Sequence, residues 1–257
     1  MFTLFTSAVI AILVLMCCMF VIGLMARDNS LIDIAYGPAF VLGGWTAWLA
    51  ATTPWHFRPV LLLVLLSLWG IRLGLHIGLR HRGWGEDFRY RSFRVNWGDT
   101  IVWRSFLQIY MLQGSIICVM LTPVLVTIAA PGSGMQWTDL FGVALFAFGF
   151  FWEVVGDWQM MQFKKDPANR GKIIRHGLWR YCRHPNYFGE AVLWWGLFLI
   201  NLGSPHGLYG LISPLLILVL LLRVSGIPML EAKYAGNPDF EAYKAATNAF
   251  FPWRPRS

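Results

Sequence analysis

Residues 3–26, TLFTSAVIAILVLMCCMFVIGLMA, hold no charged side chain. An apolar helix of about 20 residues is long enough to cross a bilayer core of roughly 30 Å. Comparable apolar runs follow at 31–53, 59–79, 104–129, 138–163, 186–203 and 207–230. The expectation is an all-α integral membrane protein, a bundle of seven transmembrane helices. Composition agrees: 57% of the residues are hydrophobic, 13% are charged and 14 are tryptophan, and mean hydropathy is +0.54. Water-soluble domains rarely have such a balance. No fixed-period repeat and no long Pro/Gly/Ser linker divides the chain, so 1–257 reads as a single polytopic membrane domain. The first run lacks a basic n-region and a small-residue cleavage site, and is expected to remain as a span.

Orientation follows from the positive charges, because cytoplasmic loops retain Lys and Arg while short translocated loops lack them. Segment 80–104 holds six, 164–183 seven and 223–257 five, whereas 130–137 and 201–206 hold none. Seven spans put the three basic segments on one side, with the N-terminus outside and the C-terminus in the cytosol of a bacterial inner membrane or its equivalent. The net charge of +8 is accounted for by this asymmetry and by attraction to anionic membrane lipid; nothing points to nucleic acid or to an obligate protein partner. Cys17, Cys18, Cys118 and Cys182 show no CxxC or Cys/His ligand spacing, so no metal site is expected. No GxGxxG follows a predicted strand, so any nucleotide site is of a non-Rossmann kind.

Chemistry concentrates between the fifth and sixth runs. Residues 156–190, GDWQMMQFKKDPANRGKIIRHGLWRYCRHPNYFGE, present Asp157, Lys164, Arg170, Lys172, Arg183, His184, Asn186, Tyr187 and Glu190. Arg and Lys neutralise phosphate, while Asn and Glu suit a carboxamide or ribose hydroxyls. A phosphorylated dinucleotide needs that mixture. If the sixth helix begins near Pro185, Asn186 and Glu190 share one face of its first turn. The plainer reading, helix capping and lipid headgroup contact, suits Arg180 and Pro185. It suits Glu190 less, because an acidic group inside the membrane boundary is costly.

The block GLWRYCRHPNYFGE (177–190), with EAKYAGNPDFEAYKAATNAFFPW (231–253), resembles the C-terminal domain of membrane steroid 5-alpha-reductases and their bacterial relatives. LIDIAYGP (31–38) and RLGLHIGLRHRGWGEDFRY (72–90) resemble the family more loosely. The resemblance implies a seven-helix enzyme that binds NADPH among the cytosolic ends of its helices and reduces a carbon–carbon double bond conjugated to a ketone, with substrate-cavity helices in 1–130 and cofactor-binding helices and cytosolic loops in 138–257. It places Asn186 and Glu190 at the nicotinamide end, Asp157 on the preceding helix, and Lys164, Arg170 and Lys172 at the phosphates or adenosine. Arg223 and Glu231 fall near further cofactor positions. Arg72 and His76, four apart on one face of the third run, and Glu86, Arg89 and Tyr90 in GEDFRY are expected to complete the cofactor pocket, with loop-stabilising salt bridges as the alternative.

On the substrate side the chain offers Asp33 and Tyr36 and lacks the Gln-Glu pair of the steroid branch. Hydride delivery leaves an enolate-like oxygen that needs a donor. Tyr36, or Asp33 if protonated, is the expected catalytic acid for a lipid-soluble enone, at the polar end of a cavity among the first four helices. A competing resemblance is to the isoprenylcysteine carboxyl methyltransferases, which use S-adenosylmethionine and share an Arg-His-Pro-x-Tyr core. A transporter would instead use Asp33, Arg72 and His76 as a relay, but transporters are usually longer and repetitive.

Overall fold

The computed structural model describes residues 2–51, 55–82, 85–132 and 134–256. Among them every regular element is helical. The helices group into two compact units, 1–136 with 201–212, and 137–200 with 213–257.

The first unit contains α1 (Phe2–Ala26), α2 (Leu31–Ala50), α3 (Phe57–His81), α4 (Phe88–Trp97), α5 (Ile101–Ser105), α6 (Leu112–Met120) and α7 (Thr122–Ala129). The apolar surface that α1 and α3 expose suits lipid, so tight packing between helices draws on small residues. At Gly37 and Gly70 the backbones of α2 and α3 touch: a Cβ on Gly70 would stand 2.6 Å from the Gly37 carbonyl oxygen. Gly74 likewise makes room for the ring of Pro38 inside α2. A π segment, Phe106–Met111, joins α5 to α6, and α7 turns away by 45° after Met120.

Polar contacts sort the helix ends of this unit to two faces. At one, the 27–30 turn meets the α3–α4 segment: Asn29 N donates to Glu86 Oε1 (2.9 Å), His81 Nε2 lies 3.1 Å from Asp28, and Arg94 spans Glu86 and the Arg27 carbonyl. At the other, Arg58, only 2% exposed, donates to the carbonyls of Pro131 (2.6 Å) and Gly134 (2.8 Å), with Gly203 packed on its guanidinium. The basic segment 80–104 is therefore on the face opposite the Lys- and Arg-free loops near 131 and 203. Gly83 and Trp84 of the GWGEDFRY stretch, and Ser133 of the 130–136 loop, lie outside the described residues.

The second unit contains α8 (Trp137–Lys165), α9 (Pro185–Asn201, its last residue grouping with the first unit), α10 (Ile212–Val219), a π segment Leu220–Val224, α11 (Ile227–Ala232) and α12 (Pro238–Ala246). Its organising feature is a glycine seam. Gly142, Gly149 and Gly156 recur every seven residues on α8, and on α9 Gly196 faces Gly142 while Gly189 faces Gly149. A Cβ on Gly149 would stand 2.5 Å from Leu193 N and 2.6 Å from the Gly189 oxygen. Antiparallel helices in register by sevens keep one face in contact along their length. The seam ends with Gly156 against the start of α9, which brings residue 157 beside residue 186.

Among the described residues, α1, α3, α8 and the stretch Gly207–Ala232 are long and apolar enough to cross a membrane, and the bent pair Phe88–Met120 and Thr122–Ala129 makes a fifth. The other two expected spans correspond to α2, which carries Asp33 and Pro38, and to α9, whose 17 residues extend about 25 Å. The helices are compatible with a multi-pass membrane protein, and four or five spans are carried by length and composition.

Candidate functional site

In the second unit, α9 begins at Pro185, whose missing N–H costs nothing at a first helical position. The chain reaches it through the turn Gly177–Arg180, pinned to α8 twice. Trp179 Nε1 donates to the Gly156 carbonyl (3.0 Å) and Leu178 N donates to Gln159 Oε1 (2.9 Å). Gly177 has φ +61°, and the Gln159 side chain occupies the space a Cβ would need. With the turn fixed, Asn186 Nδ2 donates to Asp157 Oδ1 at 3.0 Å. Both are half-buried, as are Tyr187 and Glu190.

Arg183 and His184 have another task. Arg183, 7% exposed, donates through Nε (2.9 Å) and Nη2 (3.2 Å) to the two oxygens of Glu231. Its Nη1 donates to the carbonyls of Lys244 and Thr247 at the end of α12. A guanidinium there satisfies carbonyls that the helix leaves open and complements the negative end of its dipole. His184 Nε2 lies 2.9 Å from Glu231 Oε1, and its ring stacks on Tyr187 at 5.5 Å. Glu231 therefore gathers Arg183 and His184, and the three tie the α9 entrance to the C-terminal segment. The segment is further held by Arg183 N to the Asn248 carbonyl (2.9 Å), Trp253 N to the Tyr181 carbonyl (3.0 Å) and Tyr243 Oη to the Trp179 carbonyl. Cys182 donates its thiol to the Phe250 carbonyl (2.9 Å), and burial pushes that thiol up to about 12. Burial also raises the Tyr243 hydroxyl, with the nearby Cys182 adding to it.

Of the residues expected at a cofactor, the structure thus joins Asp157 to Asn186, Arg183 and His184 to Glu231, and His184 to Tyr187. Lys164, Arg170, Lys172 and Arg223 are exposed. All three guanidinium nitrogens of Arg183 donate to protein oxygens.

The first unit holds a second polar cluster. Arg89 Nη2 donates to Asp33 Oδ2 (2.8 Å) and Tyr90 Oη donates to Asp33 Oδ1 (2.5 Å). Asp33 sits in the first turn of α2, where its charge also meets the positive helix end. Both its oxygens accept, so in this arrangement the proton donors are Arg89 and Tyr90. Arg89 Nε is also bonded to Asp87 (2.9 Å), the N-cap of α4, which accepts from Arg89 N as well. Burial acts to raise the Asp87 pKa, but the Arg89 hydrogen bonds and charge together hold it below the usual carboxylate value. Glu86 pairs with Arg94 (2.8 Å). Tyr36 Oη contacts the Met120 sulfur at 3.8 Å and its ring packs edge-on against Phe40. Arg72 is half-buried on α3, one turn before His76.

Two participants escaped the sequence reading. Gln113, whose Nε2 lies 3.4 Å from Tyr90 Oη, was signalled by being, with Gln108, one of two amides in the apolar run 104–129. Gln159 carried no such signal, since it stands among other polar residues at the end of α8. Among the described residues, no group of three or more His, Cys, Asp or Glu is arranged to hold a metal ion.

The fold and the site define an all-helical chain, compatible with a multi-pass membrane protein, with a polar centre at the α8–α9 junction. Residues 19–247 match the family described as "Protein of unknown function (DUF1295)", and the chain belongs to that family. It is also similar, at 37% identity over 67 residues, to a probable O-methyltransferase, ustE, of Ustilaginoidea virens. That match takes in 26% of this chain and 24% of the relative. No solved structure matches the chain at a significant level.

Proposed function

We propose that this protein is a seven-span membrane enzyme that uses NADPH to reduce a carbon–carbon double bond conjugated to a ketone in a lipid-soluble substrate. The observation that carries the reading is the Asn186 carboxamide, fixed by Asp157 at the positive end of α9, with Glu190 one turn on and exposed Lys164, Arg170 and Lys172 on the preceding loop. A carboxamide and a carboxylate on one helical turn suit a nicotinamide and ribose, and the basic loop suits phosphates. The reaction also needs a donor for the enolate oxygen. Tyr90 is the proposed donor: its hydroxyl proton, given to Asp33 in this arrangement, turns to the substrate oxygen as substrate binds, while Arg89 keeps its hold on Asp33. In this reading the face bearing segment 80–104 is cytosolic and the N-terminus lies outside.

A second reading, an S-adenosylmethionine-dependent methyltransferase, is favoured by one observation, the similarity to a probable O-methyltransferase. One experiment separates them. Purified protein is melted with NADPH and, separately, with S-adenosylmethionine. A ligand at about 100 times its Kd stabilises the folded state by about 2.7 kcal/mol, which for a chain of this size raises Tm by about 5–10 °C. The reductase reading expects that rise with NADPH, its loss in Asn186→Ala and Glu190→Gln, and no rise with S-adenosylmethionine. The reverse pattern replaces it with the methyltransferase.

A further inference from the structure

Polar side chains in a membrane-spanning unit are costly and tend to be paired or to serve a ligand. Gln113 has only half of its amide engaged. Tyr90 donates its hydroxyl proton to Asp33, so toward Gln113 the phenol oxygen can only accept. That fixes which end of the carboxamide faces it: Nε2, at 3.4 Å. The other end, Oε1, is shielded from solvent and has no hydrogen-bond partner among the described residues. A buried acceptor in this condition calls for a donor.

Backbone geometry adds an independent observation. Gln113 is the second residue of α6, immediately after the π segment Phe106–Met111. A π turn carries one residue more than an α turn, so it rotates everything beyond it relative to what precedes it. Such turns occur often at functional sites. Here it sets the direction in which Gln113 leaves the helix. Asp33, Tyr36 and Gln113 are all half-buried, whereas Tyr90 is buried, so the phenol forms the floor of the cluster and the amide its side.

We infer that Gln113 Oε1, beside the Tyr90 phenol, is a subsite for a lipid-soluble ligand whose polar end carries a hydrogen-bond donor, a hydroxyl in the simplest case. The inference rests on the reading above that Tyr90 faces the substrate oxygen, and it narrows the substrate class. A simple enone has only an acceptor and would leave Oε1 bare. A hydroxylated ketone or a lipid alcohol would fill it. The ligand is apolar elsewhere because the unit exposes aliphatic surface along α1 and α3, including Val14, Val21, Val64, Leu68 and Leu75, so the approach to the subsite is through lipid.

The test uses the full chain in detergent with no cofactor. The probes are a matched pair, 5α-cholestan-3β-ol and 5α-cholestan-3-one, which differ only in hydroxyl against ketone and contain no double bond to reduce. One added hydrogen bond to a buried acceptor is worth about tenfold in affinity. The expected result is that the alcohol binds about tenfold tighter than the ketone, and that Gln113→Leu brings the ratio close to one while the variant keeps a cooperative melt. Equal binding of the pair by the wild-type protein overturns the inference, as does binding of neither. A tenfold preference for the ketone also overturns it, since the amide would then present its N–H. These outcomes need no variant and so survive a misfolded Gln113→Leu. If the ratio behaves as expected but NADPH neither binds nor supports turnover, the subsite stands and the reductase reading fails.

Discussion

Replacing Gly149 by Ala tests the seam that builds the site. The new Cβ would stand 2.5 Å from Leu193 N and 2.6 Å from the Gly189 oxygen, about 0.8–0.9 Å inside the 3.4 Å at which ordinary contact begins. Both neighbours are backbone, so no rotamer change relieves the overlap, and α8 and α9 must part by nearly that distance. Overpacking of this kind costs about 3 kcal/mol at the upper end of its range, and Ala returns about 1 kcal/mol through helix propensity. A net loss of about 2 kcal/mol lowers Tm by about 4–8 °C in a chain of this size. Gly78→Ala is the control, because its Cβ would meet only the Ile34 side chain, at 3.5 Å. It keeps the propensity gain and should leave Tm unchanged or raise it by about 2–4 °C. The assay is intrinsic tryptophan fluorescence during heating in detergent. An unchanged or raised Tm in Gly149→Ala would refute the claim that backbone contact at the seam is required.

Four further outcomes are expected. Arg58→Ala leaves the Pro131 and Gly134 carbonyls without their donor and should cost about 2–4 kcal/mol, with Arg58→Lys recovering only part because an ammonium cannot span both as a fork; equal melting of all three proteins would show the clamp to be idle. Cys182 should resist maleimide at pH 8 in the folded protein and react in denaturant, since its thiol is buried and raised to about 12; rapid native labelling would contradict the packing. The depressed Asp87 pKa contributes stability that is present above the unfolded value of about 3.8 and lost as pH falls through the lower folded value, so Asp87→Asn should flatten acid unfolding below about pH 4, read by melts across pH 3–7. Cysteines placed at 204 and at 92 in a cysteine-free background should label from opposite sides of the membrane, 204 from outside; labelling from one side would overturn the sorting of helix ends in the first unit.

The apolar runs were legible in the sequence because crossing a bilayer is a local requirement: each helix must satisfy its own backbone and present lipid-compatible side chains. For the same reason α1, α3, α8 and the basic segments could be placed from composition, and Pro185 announced the start of α9. Asn186 and Glu190 were visible as well, since four-residue spacing on a helix fixes a shared face. What the sequence could not decide was partnership across long separations. Asp33, if protonated, stood beside Tyr36 as a candidate acid in the sequence, but its hydrogen bonds with Arg89 and Tyr90, 56 and 57 residues away, are visible only in the structure. Arg183 was legible as a basic group beside the candidate site, but its bonds to Glu231, 48 residues on, and to the end of α12 were not. A side chain's charge is written in the sequence, but whether it meets a ligand or another residue depends on which helix ends are brought together. That was decided by glycine contacts such as Gly149 on Gly189 and Gly37 on Gly70, where the absence of a side chain lets two backbones meet and so sets which polar groups lie within hydrogen-bonding distance.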